Sequence, residues 1–231
     1  MWRALLLALT LTALVTGSAE AASVRDAHGD TAAVVIARNP RLEQLALTPA
    51  DTRRAEHGLL KLADLSALPP GWRPLSTSPD ASGPVCPWQD YSYFTLTGRG
   101  EADFQPTKVG SAGFVGSSVE LFSSSSQASG KFTIDIHPGT VGCESSALKK
   151  ALGPGLKIVS ARALALPGLG ERSVDYAFEY AVVGQSRTIY VNIVEFVRGS
   201  AVGMLETTNF NDAGNASTRL RLAQTMDMRL R

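Results

Sequence analysis

Two cysteines, three histidines, one S-x-x-K tetrad and a group of tyrosines around an asparagine are the residues of this chain suited to chemistry. Cys86 and Cys143 are its only cysteines. In an exported chain an even count reads as one disulfide, and closing a loop of this length stabilises by roughly 4 kcal/mol on the chain-entropy model. The competing reading is a nucleophilic thiol at Cys143 with His137 nearby, which an oxidising compartment disfavours. His28, His57 and His137 show no H-x3-H spacing and the cysteines no C-x2-C spacing, so no metal site is expected. Ser146-Ala147-Leu148-Lys149 matches the S-x-x-K of penicillin-recognising enzymes, but the S-D-N and K-T-G partners are missing. It reads as a polar helix face. No G-x-S-x-G elbow is present. Asp175 and Glu179 share a strand face about 13 Å apart, farther than glycosidase carboxylate pairs stand, and read as solvated charges at the sheet rim. Asn215-Ala216-Ser217 matches a glycosylation sequon, which a bacterial-looking export signal leaves without a use.

The elements that must position these residues follow from periodicity. Thr48 caps a helix with Pro49 at its first position and Asp51 in its first turn, and Ala55, Leu59, Leu62 and Ala63 recur on one face. Leu68-Pro69-Pro70-Gly71 ends it, and residues 74–87 form a Pro/Ser/Gly loop carrying Cys86. Strands are expected over 91–97, ending at Gly98-Arg99-Gly100, and over 112–122. Residues 123–137 fit either periodicity; a Ser123 or Ser124 cap tips the reading to helix. A second helix is expected over 144–152.

Four strands follow, over 156–166, 173–183, 187–197 and 201–208, the last three an antiparallel meander through Gly184-Gln185 and Arg198-Gly199. A register placing Val183 opposite Arg187 sets Tyr180 against Tyr190, Tyr176 against Val194 and Val174 against Phe196. Cross-strand aromatic pairing favours it. Tyr176, Tyr180, Tyr190 and Asn192 then share a face, an apolar surface with one orienting polar group. That is a candidate ligand pocket, against the alternative of a sealed core. The opposite face would hold Ala177 and Ala181 beside Ile189, Val191 and Ile193, under a last helix carrying the stripe Ala216, Leu220, Ala223, Met226 and Leu230. The fold class is α+β: an antiparallel sheet packed by helices, in one domain with one disulfide.

The first 21 residues read as an export signal: Arg3, the apolar run Ala4 to Val15, and the small-x-small site Ala19-Glu20-Ala21. The run is far short of the ~20 residues that span a bilayer, and no cysteine follows to carry a lipid anchor. Residues 22–47 read as a partly mobile segment and 48–231 as the domain. A net charge of +1 argues against nucleic acid, which needs a basic face. With 44% hydrophobic and 19% charged residues the chain has material for a real core.

The order of landmarks carries a resemblance. A short helix leads to Leu68-Pro69-Pro70-Gly71-Trp72, then a Cys-bearing loop and Thr95-Leu96-Thr97-Gly98. Next come Val115-Gly116-Ser117-Ser118-Val119-Glu120-Leu121-Phe122, a Ser-rich helix start and the second Cys. Leu166-Pro167-Gly168-Leu169-Gly170-Glu171-Arg172-Ser173 introduces the meander. From Thr48 onward this resembles small exported actinobacterial proteins and, more distantly, the extracellular sensor domain of PknH-type receptor kinases and related cell-envelope lipoproteins. The resemblance implies an antiparallel sheet and helices forming a broad cleft for an extracytoplasmic molecule. The kinase sensor domains carry two disulfides; one is possible here. The expectation is a secreted, non-enzymatic binding or sensor-like module without cofactor, its ligand a small molecule or a cell-envelope component. The alternative is a secreted hydrolase with a dispersed active site.

Overall fold

The computed structural model describes residues 43–68, 71–75, 86–107, 113–152, 155–210, 214 and 216–231. The export signal expected at 1–21 and most of the segment 22–47 lie outside these residues. The described chain opens with β1 (Gln44–Leu45), ahead of the Thr48 cap. α1 (Pro49–Gly58) starts as its residues dictate: the Thr48 hydroxyl accepts the Asp51 amide at 3.1 Å, and Pro49 occupies the first turn. A 3-10 helix (Leu62–Ala67) and β2 (Trp72–Leu75) follow.

β3 (Thr95–Pro106) does not stop at Gly98-Arg99-Gly100 but runs through it. The glycines mark a close approach of α1. A Cβ on Gly98 would sit 2.4 Å from the Asp51 carbonyl carbon, and one on Gly100 3.1 Å from the Glu56 nitrogen. Register slips at the same place, between Leu96 and Gly98. Tyr91, expected at the head of this strand, lies in the turn before it. β4 (Gly113–Phe122) matches expectation. The ambiguous stretch is α2 (Ser125–Asp135), capped by the Ser124 hydroxyl accepting from the Gln127 amide at 3.2 Å and burying Ala128 and Phe132. α3 (Thr140–Leu152) begins four residues earlier than periodicity indicated, which places Cys143 on the helix.

β5 (Leu156–Ala165), β6 (Arg172–Val182), β7 (Thr188–Arg198) and β8 (Ala201–Phe210) form the meander, and α4 (Ala216–Arg229) closes the chain. Among the described residues the strands make one eight-stranded sheet ordered β1-β3-β4-β8-β7-β6-β5, with β2 also on β3. Only β1 against β3 is parallel. The fold is thus α+β: an antiparallel-dominated sheet packed by helices, a single domain with the Cys86–Cys143 disulfide.

Helices cover both faces. α2 and α3 lie over a core containing Phe132, Tyr176, Phe178, Tyr180, Val191 and Ile193. α1, the 3-10 helix and α4 cover the other, with Ala55, Val119, Val194, Phe196, Leu205 and Met226.

The register of β6 on β7 is offset by one residue from the expected one: Tyr180 faces Ile189, Tyr176 faces Ile193 and Val174 faces Glu195. A one-residue slip exchanges a strand's two faces relative to its partner. The adopted register sets Tyr176, Phe178 and Tyr180 against the β-branched Ile193, Val191 and Ile189. Aromatic-on-aliphatic pairs then build a continuous apolar face, and Asn192 goes to the other side. The expected tyrosine pairing would have put Asn192 into that face. α4 accordingly packs on Val194, Phe196 and Leu205, and not over Ile189, Val191 and Ile193.

Candidate binding surface

The four candidate pocket residues are divided by this register. Tyr176 (3% exposed) and Tyr180 (0%) belong to the sealed core under α2 and α3. The Tyr176 hydroxyl donates to the Asp135 carbonyl at 2.9 Å. They line no cleft with Tyr190 and Asn192, which occupy the opposite face. There Asn192 stands opposite Ala177 on β6 and Thr207 on β8, and Tyr190 is next along β7, half-buried. Neighbouring strands lie about 4.8 Å apart, so these side chains form one tight row. Ala177 contributes only a methyl, and Arg162 of β5 stands opposite it.

Asp175 stands diagonally from Asn192 on the same face. It is not the solvated rim charge its sequence position suggested: it is buried, and an Arg219 guanidinium nitrogen from α4 lies 3.2 Å from one of its oxygens. Burial raises the Asp175 carboxyl above its ordinary value, opposed by the neighbouring Arg219. Glu179, one pair further along, accepts from the Ser160 hydroxyl at 3.3 Å. Asn192, Thr207 and Asp175 are each 5% exposed. The Asn192 side-chain nitrogen, the Thr207 hydroxyl and one Asp175 oxygen are closed off from solvent and have no hydrogen-bond partner within the protein. Periodicity located Asn192 but not Thr207, Asp175 or Arg219 beside it, because that grouping is made by strand register and by the reach of α4.

The other face carries a buried charge cluster that the sequence reading missed. The Lys131 ammonium on α2 lies 2.8 Å from Asp135, 3.2 Å from Glu120 on β4 and 3.6 Å from Glu195 on β7. The Tyr91 ring stands under it at 5.7 Å, and the Tyr91 hydroxyl donates to Asp135. Burial pushes the Glu195 carboxyl far up, and the neighbouring negative charge of Asp135 adds to the shift. The surrounding carboxylates hold Lys131 well above its usual range despite burial. A lysine that stays protonated is neither nucleophile nor base, so the cluster is an internal ionic clamp. Two signals pointed to it: the i,i+4 spacing of Lys131 and Asp135, and a lone Glu195 inside the apolar run Ile193 to Val197.

Glu43, beside this cluster, and Glu144 on α3 are each pushed up to about 7 from 4.5, chiefly by burial. Between those values the native chain holds protons that the unfolded chain releases, so stability falls as pH rises through that window. Thermal melts should show a higher Tm at about pH 5 than at about pH 7.5, with the difference smaller in a Glu43→Gln/Glu144→Gln variant. A Tm that rises over that interval, or a variant with the wild-type slope, contradicts this account.

The remaining chemical candidates are occupied elsewhere. The Ser146 hydroxyl donates to the Gly142 carbonyl at 2.8 Å, as a helix-face serine does. His137 stacks on Trp88 at 4.4 Å and accepts the Gly139 amide, while His57 contacts the Arg229 carbonyl. His28 and the Asn215 of the sequon lie outside the described residues. Cys86 and Cys143 are bonded, with Cα atoms 6.0 Å apart. No group of three His, Cys, Asp or Glu side chains placed to hold a metal occurs among the described residues. No described helix is long and apolar enough to cross a membrane.

No family model and no curated protein matches the chain. Among solved structures it is similar to the extracellular domain of PknH from Mycobacterium tuberculosis, at 12% identity and a TM-score of 0.49. The match covers 79% of this chain and 97% of that one. It is also similar to LpqN of the same organism, described as involved in cell envelope biogenesis. There identity is 15% and the TM-score 0.31, covering 69% and 77% of the two chains. The resemblance to the PknH-type sensor domain is therefore distant.

Proposed function

We propose that the protein is a secreted, non-enzymatic binding module whose extracytoplasmic ligand docks on the sheet face at Asn192, Thr207 and Asp175. One observation carries the proposal: three neighbouring side chains on one sheet face, each 5% exposed, hold polar atoms without a partner in the protein. Burying a polar group without a hydrogen bond costs about 1–3 kcal/mol, and native interiors hold few such groups. A ligand that completes those bonds gives the arrangement a purpose. Elsewhere on that face an apolar core is closed by α1 and α4. The disulfide supports export, since such bonds persist in oxidising compartments.

The competing hydrolase reading finds no support in Ser146, whose hydroxyl is spent on its own helix, or in Lys131, held as a cation.

The test uses Asn192→Leu. An isosteric apolar side chain removes an unpartnered donor without stranding any protein group, so stability in denaturant melts should be unchanged or higher by about 1 kcal/mol. A loss of 1 kcal/mol or more would show that Asn192 has an internal structural partner, and the binding reading would fall with it.

A further inference from the structure

We infer that the protein self-associates through β5, whose free edge pairs antiparallel with β5 of a second copy about a two-fold axis at Ala161. Three observations select this edge and this occupant.

The first is the edge itself. β5 ends the strand order, so among the described residues it is bonded to a strand on one side only. Such a strand presents a row of main-chain N–H and C=O groups that template a further strand. The opposite edge differs, because β3 carries β1 at one end and β2 at the other. From Val159 to Ala165 every residue but the half-buried Ala161 is exposed, the apolar Val159 and Leu164 among them. Edges are guarded by proline, bulges and charge. Here Lys157 and the bulge between Ile158 and Ser160 guard the first half, while residues 160–165 hold neither bulge nor proline.

The second is charge. β5 carries Lys157 and Arg162 and no acid, so an acid must come from the neighbouring strand. Glu179 of β6 supplies it: it stands opposite Ser160, whose hydroxyl donates to its carboxylate at 3.3 Å. A second copy of β5 lies about 4.8 Å beyond Ser160, so an arginine placed opposite Ser160 reaches that carboxylate. Within its own copy Arg162 stands opposite Ala177 and is felt at Asp175, where burial outweighs the opposing charges of Arg219 and Arg162. Asp175 already has the Arg219 guanidinium as its partner, and Arg162 is exposed.

The third is register. Directly opposed residues of a continuous sheet point to the same face, so the axis must pass through a residue and not between two. Centred on Arg162, two guanidinium groups stand opposed, which is destabilising. Centred on Ser160, the pairs beyond the axis run into the bulge. Centred on Ala163, the overlap is confined to the last residues of β5. Centred on Ala161, small side chains meet on the axis, and Arg162 of each copy stands opposite Ser160 of the other, beside Glu179. Two symmetry-related ion pairs form. Both copies use the same edge, so assembly closes at a dimer.

Analytical ultracentrifugation of the secreted chain, disulfide intact, reads the assembly. A reversible dimer should be populated by about 0.5 mM, as for a small transient interface, and hydrogen exchange over residues 159–165 should slow as concentration rises. Arg162→Glu and Glu179→Arg should each weaken dimerisation at least about tenfold, since each acts at two contacts. An equimolar mixture of these two variants should form a heterodimer as tight as the wild-type dimer, because every contact again joins opposite charges. Should Arg162→Glu fail to fold beside Asp175, Arg162→Gln takes its place with the same expected weakening, and Glu179→Arg stands as the second arm. A monomer at that concentration, a dimer that both variants leave at wild-type strength, protection arising away from β5, or a mixture no tighter than its components would overturn the inference.

Discussion

Replacing Lys131 by Met should cost about 3–5 kcal/mol, the range for removing one partner of a buried ionic group. The side chain is 13% exposed and stands within 3.6 Å of Asp135, Glu120 and Glu195. Its loss leaves the buried Asp135 and Glu195, and the partly exposed Glu120, facing one another without their cation. Some recover by taking up protons, the direction in which burial already pushes Glu195. That response limits the cost without abolishing it, and it makes the variant relatively more stable in acid. Urea melts at neutral pH would measure the loss, and with native stabilities of 5–15 kcal/mol it is a large fraction of the total. A change below about 1 kcal/mol would mean that the cluster is solvated and weakly coupled, as surface ion pairs are.

Removing the disulfide is expected to have a comparable effect by a different route. Cys86 and Cys143 are 57 residues apart in sequence, and releasing a loop of that size restores about 4 kcal/mol of chain entropy to the unfolded state on the loop-closure model. The bond ties the segment before Tyr91 to α3. That segment is otherwise held by the Cys86 amide donating to the Gln89 side chain at 2.7 Å and by Trp88 stacking on His137. Tyr91, which supplies a hydroxyl to the ionic clamp, follows five residues later. A Cys86→Ala/Cys143→Ala variant, compared with wild type in denaturant melts, should lose about 2–5 kcal/mol. Equal stability of the two proteins would show that the contacts of Gln89 and Trp88 suffice to hold the segment.

Local chemistry was legible wherever a few adjacent residues decide the outcome. Thr48-Pro49 and Ser124 cap their helices because a hydroxyl in that position finds amides within the same turn. The meander strands were readable within one or two residues at their ends, since alternation and the Gly184 and Gly199 turns are short-range features. The disulfide followed from there being two cysteines and one compartment. Gly98 and Gly100 misled because the same residue type serves a turn and a close helix approach; their reason lies in Asp51 and Glu56 of α1, about 45 residues away in sequence.

The candidate site shows where sequence reading stops. Aromatic pairing favoured Tyr180 opposite Tyr190, yet the chain adopts Tyr180 opposite Ile189. The difference is one residue, and local preference is too weak to decide it: cross-strand pairs differ by about 0.2–1 kcal/mol. Segregating a whole strand face into a core outweighs that by summing over many side chains. That global term sent Tyr176 and Tyr180 into the interior and left Tyr190 and Asn192 on the other face. It also brought Thr207, Asp175 and Arg219 to Asn192 from β8, β6 and α4, and gathered Lys131 with Glu120 and Glu195 from three elements. Caps, turns and periodic faces depend on contacts within a few residues, and the sequence displays them. Register, and the company each polar side chain keeps, depend on burial summed over the whole sheet, and they emerge only when the layers pack.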